Sequence, residues 1–206
     1  MGFGAVILAA GLSSRMAPVN KLLRSLGDRP VIRHVVETAL DAGLDPATVV
    51  VGPEREALRA ALEGLPVRIV GNDDHEEGLA SSIRAGVAAV AADVDAAVFL
   101  LGDMPLVAPR HLGPLLAAFA PAEGRSICIP TYSTKRGNPV LWSAQYFPRL
   151  LELRGDQGAR VLLHELTDQI LEVEMPDDAV LVDIDTQAAL DAVLSRFAQA
   201  EAKDVH

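Results

Sequence analysis

The 206-residue chain has a single cysteine. Cys128 alone cannot close an internal disulfide, and it excludes a metal site built from several thiolates. It lies in the apolar run Ser126-Ile127-Cys128-Ile129-Pro130, where a buried thiol is expected rather than a nucleophile. Cations are also scarce. Lysine and arginine number 18 against 28 acidic residues, a net charge of −10. Such a surface repels a polyanion, so no nucleic-acid partner is expected. A small anionic substrate remains open to it, because that requires only a local group of cations. No apolar run approaches the roughly 20 residues of a membrane span. Val6 to Ala10 is too short for a secretory signal and has no charged region before it. A cytoplasmic protein with no membrane partner is the expectation. The glycine-rich dinucleotide fingerprint and the lysine-bearing P-loop are both missing after the first apolar run, which argues against an NAD-type dehydrogenase and an ordinary NTPase.

That run leads instead into Ala9-Ala10-Gly11-Leu12-Ser13-Ser14-Arg15-Met16, and then Asn20-Lys21-Leu22-Leu23. An apolar strand feeds a small-residue loop, and the loop delivers two cations. Gly11 has no side chain to block close approach. Serine hydroxyls and backbone N–H groups supply donors, and Arg15 and Lys21 can offset phosphate charge. The pattern points to a nucleotide held by its phosphates.

Short apolar runs alternate with helical patterns through the first 125 residues. Ala5–Ala9, Val49–Val51, Val67–Val70 and Ala97–Leu101 read as buried strands. Pro30–Ala42, Glu54–Glu63, Leu79–Ala91 and Pro109–Phe119 carry apolar spacings of three and four. Pro30 and Pro53 can open the first two helices, and Gly43 and Gly64 can close them. This alternation predicts an α/β fold, a mostly parallel sheet with helices on both faces. After residue 125 the rhythm changes. Strands are expected at Ser126–Pro130, Pro139–Trp142, Ile170–Val173 and Val180–Asp183, with a polar loop from Thr131 to Asn138. Helices are expected at Gln145–Leu151, Gln157–Leu166 and Gln187–Ala200. The length suits one domain over residues 1–206, with a nucleotide-binding part to about 125 and an acceptor-binding part over about 126–200.

Ligands of open parallel sheets bind beyond the carboxyl ends of the strands. Asp103, just past the fourth strand in Gly102-Asp103-Met104-Pro105, therefore joins the loop after the first. A carboxylate beside phosphates needs a cation between them, and Mg²⁺ accepts that mixture of ligands. Near the C-terminus Asp183 and Asp185 alternate on the expected strand, so either can add a second oxygen, with helix capping by Asp185 or Thr186 as the competing use. Gly78, Ser81 and Ser82 stand at a helix start, where the serines can cap the helix or read base and ribose edges. His75 is expected in solvent.

These motifs together resemble the MobA-like NTP transferases. Gly137-Asn138-Pro139-Val140, Gly155-Asp156-Gln157-Gly158-Ala159-Arg160 and Asp183-Ile184-Asp185-Thr186 resemble the molybdenum cofactor cytidylyltransferase branch. The resemblance runs from residue 4 to about 195. It implies a Rossmann-like nucleotidyltransferase fold and Mg²⁺-dependent transfer of CMP from CTP to molybdenum-loaded molybdopterin, with release of pyrophosphate. It implies that Ala9, Ala10, Gly11 and Ser13 wrap the nucleotide, that Arg15 and Lys21 hold the triphosphate, and that Gly78 and Ser82 lie near base and ribose. Asp103 and Asp185 would hold Mg²⁺, and Asn138, Asp156 and Arg160 would face the acceptor. A molybdenum enzyme or its chaperone is the partner implied. Guanylyl-transferring relatives usually carry glycine where this chain has Ala10 and aspartate where it has Asn20, and both differences favour CTP. Ala17 replaces the family's usual glycine. A nucleotidyltransferase for a different phosphorylated acceptor or base is one alternative. Other members of the superfamily act as oxidoreductases of small aromatic compounds, and a non-catalytic cofactor chaperone is a further alternative; Leu112–Phe119 would be its partner surface, although buried core is the expectation for that stretch.

Overall fold

The computed structural model describes residues 1–11, 20–156 and 158–204. A small antiparallel pair, β2 (Ser25–Leu26) with β3 (Arg29–Pro30), stands apart from the central sheet and leads into the first helix. The first half of the central sheet is built from β1 (Phe3–Ala9), β4 (Ala47–Val51), β5 (Arg68–Gly71) and β6 (Ala96–Leu101), all parallel. Their Val, Ile and Leu runs are apolar on both sides, as a strand covered twice must be. Along β1, Ala5, Ile7 and Ala9 face one core cluster, while Val6 and then Ala10 face the other. The helices α1 (Val31–Asp41), α2 (Arg55–Ala61), α4 (Pro109–Ala118) and α7 (Gln187–Asp204) pack on the first face, and α3 (Leu79–Val90) on the second. Leu112 and Leu115 of α4, with Phe119 just after it, are core as expected, all below 10% exposed, and leave no partner surface there. Pro30 precedes α1 with φ −65° and Gly43 ends it at φ +74°, the roles their chemistry favours.

The second half adds β7 (Ile127–Tyr132), β9 (Val140–Ser143) and β10 (Ile170–Glu174), and the order across the sheet is β10-β7-β9-β6-β1-β4-β5. β9 runs antiparallel to both β6 and β7. Cys128 on β7 is fully buried, and desolvation pushes its thiol up to about 11. The expected polar loop 131–138 is instead a hairpin: β8 (Lys135–Arg136) pairs back on β7, with Ser133 and Thr134 both at positive φ. Ser133 N–H and the Thr131 hydroxyl donate to Glu174 on β10, which holds that turn. The two helices of this half are shorter than expected, α5 (Phe147–Leu151) and α6 (Arg160–Glu165).

Residues 180–183 form no strand. Asp177 accepts from Ala179 N–H at 3.0 Å and starts a 3-10 turn over Asp178–Leu181. The backbone then bonds singly to two different partners. Val180 C=O accepts from Asn138 N–H, and Ile184 N–H donates to Asp103 C=O at 3.0 Å. A local side-chain cap outcompetes a ladder here, and an apolar run gives no warning of it. Among the described residues no helix is long and apolar enough to cross a membrane.

Candidate functional site

The chain leaves β1 toward β4 on one side and returns to β6 on the other. That reversal opens a crevice at the carboxyl ends of β1 and β6. Gly102 N–H donates to Leu8 C=O at 3.0 Å, so Asp103 emerges beside the end of β1. Ile184 is fully buried and anchored to the Asp103 carbonyl. Burial of that one side chain leaves its neighbours Asp183 and Asp185 at the mouth of the crevice. Carboxylate oxygens of Asp103, Asp183 and Asp185 then lie within 4.8 Å of one another. The strand-face argument for the last two fails with the strand itself, yet the residues do converge.

Lys21 reaches this cluster from a single 3-10 turn, Lys21–Leu23. Asn20 accepts from Leu22 N–H at 2.9 Å, and Leu22 is buried, so the turn is pinned at both ends. Lys21 Nζ contacts Asp103 Oδ2 and lies 2.8 Å from Asp185 Oδ1. Burial alone would lower the lysine's pKa, but the two carboxylates outweigh it and raise it. Asp183 is shifted upward, first by burial and then by Asp185 and Asp103. Three crowded carboxylates facing one ammonium form a hard-oxygen donor set that fits Mg²⁺ or Mn²⁺. Thr186 rather than Asp185 caps α7, accepting from Ala189 N–H at 3.1 Å.

Above this floor lies a cleft of about 620 Å³ lined by Ala9, Ala10, Gly11, Lys21, His75, Glu76, Gly78, Ser82, Asp103 and Asp156 among others. Ala10 is only 4% exposed, and its side chain belongs to the core cluster beneath α3. Gly86, one turn beyond Ser82, would place a Cβ 2.3 Å from Val6 Cγ1, so α3 lies closer to β1 than a larger residue permits. His75 is half-buried in the cleft wall, not in open solvent. The serines do not cap α3. Ser81 Oγ donates to Gly78 C=O, and both serine hydroxyls accept from Asn72. Asn72 carries no motif signature in isolation, and only its burial identifies it. Asp183 is the other residue that the motif match left out of the ligand set.

A second cavity of about 260 Å³ adjoins the cleft and shares Leu8, Leu79, Leu101 and Asp156 with it. Asn138, Asp156 and Arg160 all line it, along with Phe99, Val140 and Trp142. Polar residues from two separate segments, Asn138 from one and Asp156 and Arg160 from the other, thus ring one apolar hollow. Ser13 and Arg15, and Ala17 with them, lie outside the described residues.

The doubly covered, mostly parallel sheet is a nucleotidyltransferase fold. The chain belongs to the MobA-like NTP transferase domain family, whose model matches residues 5–170. It is similar to a nucleotidyl transferase from Methanothermobacter thermautotroptrophicus, with a TM-score of 0.85 and 28% identity over 97% of this chain and 99% of that one. Rv0371C of Mycobacterium tuberculosis H37Rv, in a complex with manganese, matches with a TM-score of 0.77 and 29% identity over 95% and 99% of the two chains. Nicotine blue oxidoreductase of Paenarthrobacter nicotinovorans is 30% identical over 186 residues, 88% of this chain and 91% of that protein.

Proposed function

We propose that the protein transfers CMP from CTP to molybdenum-loaded molybdopterin and releases pyrophosphate. The observation that carries this reading is the Lys21–Asp103–Asp185 cluster at the floor of a cleft that continues, past Asp156, into a separate hollow. Two joined cavities over one charged floor suit the joining of two molecules at a phosphate. A phosphate oxygen of the acceptor attacks the α-phosphorus, and the bond from that phosphorus to the bridging oxygen breaks. Pyrophosphate leaves with the electron pair. No protein nucleophile is required, only positioning and charge compensation.

Lys21 supplies one positive charge to the phosphates and holds the carboxylates in register. Arg15 supplies another on the strength of its motif. Asp103 and Asp185, with Asp183 beside them, would hold Mg²⁺, which when bound would offset charge on the phosphate oxygens. That a structural relative was solved in complex with manganese supports the use of a divalent ion. Ala9, Ala10 and Gly11 present backbone to the nucleotide, Gly78 and Ser82 flank its base and ribose, and Asn138, Asp156 and Arg160 orient the acceptor.

Pyrophosphate release from each of the four NTPs, with and without molybdenum-loaded acceptor, tests the reading. Release is expected from CTP only, with both acceptor and Mg²⁺ present. Absence of release with every NTP, from folded protein, overturns it.

The near full-length similarity to nicotine blue oxidoreductase favours a second reading, an oxidoreductase of a small aromatic compound. Phe99 and Trp142 in the smaller cavity suit a flat ring. A flavin absorbance band in the purified protein, together with a silent NTP panel, would select it.

A further inference from the structure

Asn72 follows β5 and is 5% exposed. Its Oδ1 accepts from Asp74 N–H at 3.1 Å. A backbone N–H can only donate, so the amide orientation is settled: the oxygen faces Asp74 and the nitrogen faces α3. Both amide hydrogens are then used, one to Ser81 Oγ at 2.8 Å and one to Ser82 Oγ at 3.0 Å. Ser81 passes its own proton to Gly78 C=O. Ser82 has no such outlet. Its hydroxyl donates to no acceptor among the described residues, and it lines the large cleft. A hydroxyl that already accepts from a fixed amide turns its proton away from that amide.

We infer that Asn72 is a positioning residue that fixes Ser82 as a hydrogen-bond donor, so that the cleft selects a nucleobase presenting an acceptor there, a carbonyl oxygen or an unprotonated ring nitrogen. The pyrimidine carbonyl and ring nitrogen of cytosine satisfy this, whereas a base edge with only N–H groups meets a donor head-on. The inference rests on the proposal that this cleft holds a nucleotide, and it adds the direction of one hydrogen bond to it. Asn72→Asp is nearly isosteric and keeps the Asp74 contact, but a carboxylate only accepts. It would draw the Ser82 proton inward and leave the cleft without a donor.

Calorimetric binding of CTP and of ribose 5-triphosphate, which lacks a base, tests this. Ser82→Ala and Asn72→Asp should each weaken CTP about tenfold, the scale of one hydrogen bond. The double variant should bind CTP no worse than Ser82→Ala alone, and ribose 5-triphosphate should bind all four proteins equally. A merely structural Asn72 would not produce that base-dependent coupling. Unchanged CTP affinity in Ser82→Ala, which removes one oxygen and keeps the inference testable if Asn72→Asp does not fold, overturns it. So does an equal loss for both ligands. If the wild type binds no NTP at all, the proposed function fails and this inference fails with it. If the wild type binds CTP and Ser82→Ala binds it as well, only the inference fails.

Discussion

Gly78 and Asp156 meet across the junction of the two cavities: a Cβ on Gly78 would lie 1.8 Å from Asp156 Oδ1. Gly78 also sits at φ +91°, ψ −167°, a conformation nearly closed to other residues. Gly78→Ala is therefore expected to cost about 1–3 kcal/mol of stability and to push the 155–160 segment away from α3. Chemical denaturation measures the first effect. CTP and acceptor affinities measured on the same variant should both fall, because Asp156 lines both cavities.

Asp103→Asn should leave the fold intact and reduce turnover by about 100- to 1,000-fold, the scale of losing one preorganised electrostatic contribution to a transition state. Steady-state pyrophosphate release reads this. Circular dichroism should match the wild type, because Asp103 holds Ile184 through its backbone carbonyl and not its side chain.

Divalent metal should stabilise the protein through the same carboxylates. At 100 times its dissociation constant, Mn²⁺ or Mg²⁺ should add about 2.7 kcal/mol. Asp103→Asn with Asp185→Asn should abolish the gain. Melting in chelator and in metal, for wild type and the double variant, provides the comparison. An equal gain in both would place the ion elsewhere.

His111 links stability to pH. It is fully buried on α4, its Nδ1 accepts from Ala108 N–H at 2.9 Å, and its Nε2 faces Asp177 at 3.2 Å. Burial holds its pKa below the ordinary 6.5, although Asp177 pulls the other way. The unfolded chain thus binds a proton more readily than the native one. Stability should be full above pH 6.5 and fall as the pH drops from there toward the native pKa. His111→Gln can keep both hydrogen bonds without titrating, and should flatten that slope in urea midpoints measured between about pH 7.5 and 5.5.

Arg160→Ala should raise the acceptor KM about tenfold, the scale of one charged hydrogen bond, and leave CTP affinity unchanged. Arg160 lines only the smaller of the two adjoining cavities. Equal losses for both substrates would contradict a cleft divided between nucleotide and acceptor.

Local patterning alone settled the strand–helix alternation, the parallel half of the sheet, the buried Cys128 and the placing of Lys21 and Asp103 in one crevice, because strand ends on one sheet edge must share a crevice; their direct ion pair came from the tertiary structure. Tertiary structure decided what depends on non-local partners. Residues 180–183 became a capped turn because Asp177 caps it and Asn138 and Asp103 take its backbone bonds singly. Asp183 joined the acidic cluster because Ile184 is buried, not through strand alternation. Ser81 and Ser82 serve a buried amide rather than the helix terminus, since Asn72 reaches them from the end of β5. A motif names the residues near a site. Which way each donates is set by neighbours that only folding supplies.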